Sequence, residues 1–210
     1  MCSPRLSGRI EEPAGDDPDY IPSIMAATRS PDFLTELAEL DAGVAALFML
    51  SQEQLVRPPA LNKWSAVQAI DHIVRTNREY FPEIARAIQD SRTARQHAAA
   101  PFHYSWLGRT VVALFEPPPK LRIPIPTRRI APPVVLDIDA VRRSYEEHHL
   151  RFREYIHEAI AVDMRRAKVR SPFLVERWVP LNLGTAIGAL LAHERRHIYQ
   201  ARMAAAAGER

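Results

Sequence analysis

Cysteine is nearly absent from this chain of 210 residues, in which Cys2 stands alone. A single cysteine excludes an internal disulfide and a thiolate zinc cluster, and it fits a reducing compartment, so we expect a cytoplasmic protein. No apolar run approaches the ~20 residues that a membrane helix needs. Residues 1–20 are polar and lack the apolar core of a signal peptide. We therefore expect neither a membrane span nor secretion.

Glycine is also scarce, with seven residues against eighteen prolines, which disfavours a turn-rich all-β protein. The sequence contains neither GxxxxGK[ST] nor GxGxxG, and this excludes the common nucleotide-binding loops. Lysine plus arginine number 28 and aspartate plus glutamate number 25, for a net charge of +3. That excess is too small to indicate a nucleic-acid partner.

Apolar residues recur at helical spacing in four long segments, and this pattern predicts an all-α four-helix bundle. Residues 1–28 are polar and aperiodic, so we expect them to be disordered and residues 29–210 to form a single domain. The predicted helices cover residues 30–54, 65–82, 137–160 and 183–207, and residues 86–97 form a weaker continuation of the second.

Local signals mark the ends of these helices. Ser65 and Gln68 form a capping box at the start of the second helix, and Pro82 predicts a kink or break in it. Residues 102–115 are either a short helix or a buried apolar loop. Seven prolines in residues 116–133 predict a long irregular insertion between the second and third helices, in which Ile130 is one of the residues available for packing.

The last predicted helix carries the string HERRH, in which His193 and His197 lie four residues apart. Residues at this spacing share one face of a helix, so both imidazoles can reach one metal ion. Zinc takes imidazole nitrogen at ~2.0–2.1 Å, which the spacing permits. The pair alone is weak evidence, because two hydrogen-bonded histidines on an alanine-rich helix would look the same.

A third histidine, His72, lies on the second predicted helix, among small and polar neighbours. Packed helices lie ~8–10 Å apart, so His72 can join a pair on another helix. Three protein ligands with open positions are typical of a catalytic metal site. A lone histidine at such a position is more often simply hydrogen-bonded, so both interpretations stay open on the residues alone.

Two segments resemble the DinB-like superfamily. They are NKWS at 62–65, followed by Gln68 and His72, and LLAHERRHIYQ at 190–200. This superfamily includes the YfiT-type proteins described as metal-dependent hydrolases, and thiol-dependent S-transferases. The match is specific for two helices and loose for the rest of the chain.

The resemblance implies a four-helix bundle in which His72, His193 and His197 bind one divalent metal ion. It further implies zinc or nickel as the ion, a small-molecule substrate, in some members a low-molecular-weight thiol, and a homodimer. The alanine-rich face at residues 204–207 is compatible with such a dimer. The reaction then follows from activation of water or a thiol by the ion.

A zinc protease is one alternative, because HERRH also fits HExxH with Glu194 as general base. In the extended form of that motif, Gln200 and Met203 replace the required glycine and third histidine, which disfavours it. Within a bundle we expect Glu194 to pair with an arginine.

The other alternative is a bundle without catalysis that binds metal or takes part in a stress response.

Four further residues are candidates for the surroundings of the metal or for the pocket. They are Tyr145, His148 and His149 on the third predicted helix, and Glu194 on the last. For the two histidines, an ordinary buried hydrogen-bonded role is the competing interpretation.

Overall fold

The computed structural model describes residues 30–98, 100–118, 130–172 and 180–207. Helices dominate this part of the chain, and the prediction of an all-α fold is confirmed. Residues 1–28, expected to be disordered, lie outside the described residues. Within the described part, no helix is both long and apolar enough to span a membrane.

The first predicted helix is divided into two. Helix α1 spans Phe33–Phe48, with Asp32 as its N-cap, and helix α2 spans Gln52–Val56. A single helix to residue 54 was therefore wrong. Ser51 and Gln54 form a capping box that starts α2, because each satisfies a backbone N–H group of the other.

Helix α3 spans Ala66–Thr93 and begins with the capping box of Ser65 and Gln68. Of the kink or break predicted at Pro82, the break is wrong, since the helix continues through this residue. Pro82 and Arg78 are exposed, so water can reach the Arg78 carbonyl group that loses its helical partner. Phe81 and Ile84 are buried on either side of the proline, and their packing holds both halves in one helix.

Helix α4 spans Trp106–Phe115 and starts at Ser105, whose side chain accepts from the Gly108 amide. Residues 102–115 therefore contain a helix rather than only a loop. Of the proline-rich insertion, residues 119–129 lie outside the described part. Its last residues contact α3, because the Gln68 amide group donates to the Pro133 carbonyl oxygen.

Two further long helices complete the bundle. Helix α5 spans Ile138–Ile160 with Asp137 as N-cap, and helix α6 spans Leu183–Ala206 with Asn182 as N-cap. A small antiparallel sheet precedes α6, in which β1 (Lys168–Val169) pairs with β2 (Leu181–Asn182).

Helix α6 is the centre of the packing. It contacts α3 on one side and α1 on the other, while α5 packs against α1 and α3 and so lies diagonally across the core from α6. Helix α4 covers a further face of α6. Most residues of α6 are buried as a result, including polar side chains that point to different partners. This position lets one helix contribute both to a cluster of histidines and to a core ion pair.

Candidate metal centre

His72 lies in the second turn of α3, where it is buried beside Trp64. The centres of the two rings are 4.7 Å apart. Nδ1 of His72 is 2.9 Å from the carbonyl oxygen of Ile130, at the end of the proline-rich insertion. A carbonyl oxygen only accepts hydrogen bonds, so Nδ1 carries the proton and the lone pair of Nε2 is available to a ligand.

His193 and His197 lie on the buried face of α6 that meets α3. Their ring centres are 4.4 Å apart, and each lies close to the ring of His72, at 5.3 Å and 4.5 Å. One nitrogen from each of the three rings lies within 4.8 Å of the other two. The structure thus brings together the three histidines that the resemblance implied as ligands, and this cluster could hold a metal ion.

The hydrogen bonds of the cluster fit a cation. Nδ1 of His197 is 3.1 Å from Oε1 of Gln200, which also leaves the Nε2 lone pair of His197 available. Nδ1 of His193 is buried and has no hydrogen-bond partner among the described residues. A buried polar nitrogen without a partner is costly, and a metal ion is one partner that would satisfy it.

The three imidazoles are held in their neutral form. Burial lowers the pKa of His72, and burial together with the nearby His197 and His72 rings lowers the pKa of His193 well below its usual range. Burial, followed by the repulsion that would arise if the His72 and His197 rings were both protonated, lowers the pKa of His197 to about 3. Neutral imidazole is the form that binds metal ions, so no proton has to be removed near neutral pH.

The histidines line a cavity of about 250 Å³. Its walls are mostly apolar. One of them includes Phe115, whose ring centre is 6.0 Å from the ring centre of His193. Polar groups enter it from Tyr80 and Ser171, whose hydroxyl groups are 2.9 Å apart, and from Arg196. The described lining residues are Trp64, His72, Thr76, Tyr80, Val111, Phe115, Ile130, Ser171, Leu181, Ala186, Ala189, Leu190, His193, Arg196, His197 and Gln200.

Glu194 pairs with His149 and Asn77 and with no arginine of the described residues, so the expected arginine pair was wrong. Its side chain is fully buried, and it accepts hydrogen bonds from Nε2 of His149 at 2.7 Å and from the amide group of Asn77 at 2.9 Å. The neighbouring Arg195 pairs instead with glutamates of other segments. The carboxylate of Glu194 is thus not among the groups that line the cavity, where a protease would need its general base.

His149 connects three helices in what we call the core polar cluster, which consists of Asp41, Asn77, His149 and Glu194. Nδ1 of His149 is 2.6 Å from Asp41, in addition to the bond from Nε2 to Glu194. Burial alone would lower the pKa of His149, but the two carboxylates outweigh it and raise this pKa to about 9. The ring is therefore a cation at neutral pH that donates to both carboxylates.

Tyr145 and His148 also lie away from the cavity. The Tyr145 ring stacks on His149 at 3.9 Å, and its hydroxyl group is buried without a partner among the described residues. His148 bonds through Nδ1 to the carbonyl oxygen of Ser144 and stacks on Phe81. These two residues therefore surround the core polar cluster and the α3–α5 contact rather than the three histidines.

Several residues of the cavity were not predicted from the sequence. Trp64 was recognised only as part of a motif, and Tyr80 and Arg196 carried no signal. No sequence motif could identify the carbonyl oxygen of Ile130, because every residue has a backbone carbonyl group. The proline-rich context of Ile130 marked an insertion but not its contact with His72.

Comparison with known families agrees with this arrangement. A family model described as the DinB superfamily matches residues 36–201, a span that contains all three histidines. No curated protein matches the chain. No solved structure matches it either. The resemblance inferred from the two histidine-bearing segments is confirmed by the family match.

Proposed function

The chain belongs to the DinB superfamily, and we propose that it is a metal-dependent enzyme of that family that acts on a small molecule. In this proposal His72, His193 and His197 bind one divalent ion, and water or a low-molecular-weight thiol is the nucleophile for hydrolysis or S-transfer. One observation supports this proposal most. Three buried imidazoles line the same cavity, and one nitrogen of each lies within 4.8 Å of the other two.

Three ligands from the protein favour a catalytic site over a structural one, because the remaining coordination positions stay open to solvent or substrate. In the part of the chain that the structure describes, neither cysteine nor carboxylate joins the three histidines in this cluster. When bound there, a divalent ion supplies Lewis acidity that brings the pKa of a water or thiol ligand near neutrality.

The contribution of the chain itself is orientation and exclusion of water. The bonds from Nδ1 of His72 to Ile130 and from Nδ1 of His197 to Gln200 fix the direction of both rings. The ring of Trp64 packs beside the ring of His72, with their centres 4.7 Å apart. Apolar surroundings strengthen the electrostatic interactions of a bound ion with its ligands.

Zinc and nickel are the ions that we propose. Both accept neutral imidazole nitrogen, whereas magnesium and calcium require oxygen ligands. The His72, His193 and His197 cluster offers nitrogen only. A soft thiolate suits zinc, so a thiol nucleophile fits that ion best.

We also propose a homodimer in a cytoplasmic location. Ala204 and Ala205 are buried within the chain itself, so the exposed Ala206 and Ala207, with the neighbouring Met203, are the residues that this stretch offers to a second copy. The proposed location follows from Cys2 being the only cysteine of the sequence.

The test compares the catalytic activity of metal-free, zinc-loaded and nickel-loaded protein on two panels of substrates. One contains p-nitrophenyl esters, and the other contains chlorodinitrobenzene with a small thiol. We expect turnover on one panel that requires the metal and is lost in His193→Gln. A protein that binds one equivalent of metal and turns over neither panel would contradict the enzymatic proposal and favour a metal-binding module.

A further inference from the structure

A buried hydrogen bond between α3 and α6 lies next to the three-histidine cluster. Successive side chains of an α-helix point about 100° apart around its axis, so neighbours in sequence can face different surroundings. His193 lines the cavity, whereas Glu194 is fully buried and accepts from the side-chain amide of Asn77 on α3. Asn77 is fully buried as well. The helix that carries two of the histidines is thus tied to the helix that carries the third.

The carboxylate of Glu194 is held by two helices at once. Its Oε1 accepts from Asn77 at 2.9 Å, and its Oε2 accepts from Nε2 of His149 on α5 at 2.7 Å. Nδ1 of His149 is in turn 2.6 Å from Asp41 of α1. Rotation of the carboxylate away from these partners would leave a buried charge unpaired, which is costly. Directional bonds therefore fix the position of Glu194, and with it this turn of α6.

The residues of this tie are interleaved with the histidines along both helices. Asn77 follows His72 by five residues, which is ~7.5 Å along the axis of α3. Glu194 lies between His193 and His197 on α6. A slide of α6 along α3, or a rotation of α6 about its axis, would change the distance from Asn77 to Glu194. The same movement would change the distances from the His72 ring to the other two rings.

Apolar packing alone sets such a position less finely than a metal ion requires. Ile73 of α3 and Leu191 of α6 belong to one buried core, and the hydrophobic effect that holds them there has no preferred direction. Ligand nitrogens must lie ~2.0–2.1 Å from zinc, with a tolerance of about 0.2 Å. Sites of this precision need supporting hydrogen bonds that hold the ligands within about 0.5 Å of their positions.

We infer that Asn77 and Glu194 are positioning residues of the metal centre. Without contacting the ion, their hydrogen bond sets the position of α6 on α3 at which the three imidazoles bind one ion. His149 supports this role because it holds the second oxygen of the same carboxylate. The inference rests on the proposed metal site and adds the residues that give this site its geometry.

Zinc affinity and the visible spectrum of bound cobalt test this role. Asn77→Ala removes the donor to Glu194 and should weaken zinc binding about tenfold, at the lower end of the effect of supporting residues that bond to the ligands themselves. The absorption bands of cobalt depend on the geometry of its ligands, so they should shift in this variant. Circular dichroism and the measured metal content establish that each protein is folded and loaded.

Exchanging the two partners provides the rescue. Asn77→Asp alone places two buried carboxylates against each other, so it should weaken zinc binding at least as much as Asn77→Ala does. In the double variant Asn77→Asp with Glu194→Gln, the amide introduced at position 194 donates to the carboxylate introduced at position 77. Its carbonyl oxygen still accepts from His149. The double variant should therefore bind zinc within about threefold of wild type and show the wild-type cobalt spectrum.

A matched control separates positioning from general stability. Leu47 is a buried residue of α1 outside the core polar cluster, and Leu47→Ala destabilises the fold by leaving a cavity. Its zinc affinity should stay within about threefold of wild type. If Asn77→Asp does not fold, the comparison of Asn77→Ala with the double variant still decides the outcome.

The outcomes separate this inference from the proposal on which it rests. Three results would overturn the inference and leave the metal site intact. They are wild-type zinc affinity in Asn77→Ala, an equal loss of affinity in Leu47→Ala, or a double variant that binds zinc no better than Asn77→Ala. A wild-type protein that binds no divalent ion would overturn both.

Discussion

The core polar cluster should be the most sensitive point of the fold to substitution. Its His149 is buried and bonds to Glu194, which is completely buried and whose other partner among the described residues is Asn77. Replacing the histidine by phenylalanine keeps a ring in the same space but leaves a buried carboxylate without its cation. Breaking a buried ion pair in this way costs about 3–5 kcal/mol. We therefore expect His149→Phe to lose about that much free energy of unfolding at neutral pH.

Urea denaturation followed by circular dichroism measures this loss. The control is the double variant His149→Phe with Glu194→Leu, in which both charges are replaced by apolar groups of similar volume. It should be more stable than the single variant, because no buried carboxylate is then left without its cation. The Asn77 amide group loses its acceptor, while Asp41 loses His149 but keeps its ion pair with Arg153. A single variant that loses less than about 1 kcal/mol, the value of an exposed ion pair, would refute the reasoning.

The same cluster predicts the pH dependence of stability. Because Glu194 and Asp41 raise the pKa of His149 to about 9 in the folded protein, the folded state holds this proton more tightly than the unfolded chain does. The stabilisation of the folded protein by this proton is complete below pH ~6.5, where His149 is protonated in both the folded and the unfolded state. It is lost as the pH rises through about 9. The shift corresponds to about 3 kcal/mol, and it should vanish in His149→Phe. Equal slopes for the two proteins between those pH values would contradict this origin.

Two further predictions concern the packing of a glycine and a partly buried group of ion pairs. In Gly184→Ala, the new Cβ would lie 2.5 Å from the buried ring of Phe102, so urea denaturation should show a loss of about 1–3 kcal/mol, whereas unchanged stability would contradict this contact. Arg195→Gln removes ion pairs to Glu36 and Glu116, and we expect a loss of about 1–2 kcal/mol at neutral pH. This loss should shrink at about pH 4, where carboxylates become protonated, and an equal loss at both pH values would argue against an ionic origin.

Signals that act within a few residues were readable from the sequence. The capping box of Ser65 and Gln68 consists of local hydrogen bonds, and it is present. The i, i+4 spacing of His193 and His197 likewise follows from helix geometry alone. The family resemblance supplied His72, which local spacing did not join to that pair.

Features that depend on tertiary packing were not readable. Pro82 predicted a kink or break, but one helix continues through it because residues on both sides, such as Phe81 and Ile84, are buried in the core. Glu194 was expected to pair with an arginine, yet its partners lie 45 and 117 residues away on other helices. The contact of the Ile130 carbonyl with His72 belongs to the same class, because 58 residues separate the two.

The central claim is that imidazoles from two helices bind one cation, and a zinc titration tests it directly. We expect wild-type protein to bind one equivalent of zinc, and His72→Ala to lose about 100-fold or more in affinity while its helix content is kept. The matched control is His103→Ala, whose exposed ring bonds to Ser30 and should leave zinc affinity unchanged. A His72→Ala protein that binds zinc as tightly as wild type would contradict the account.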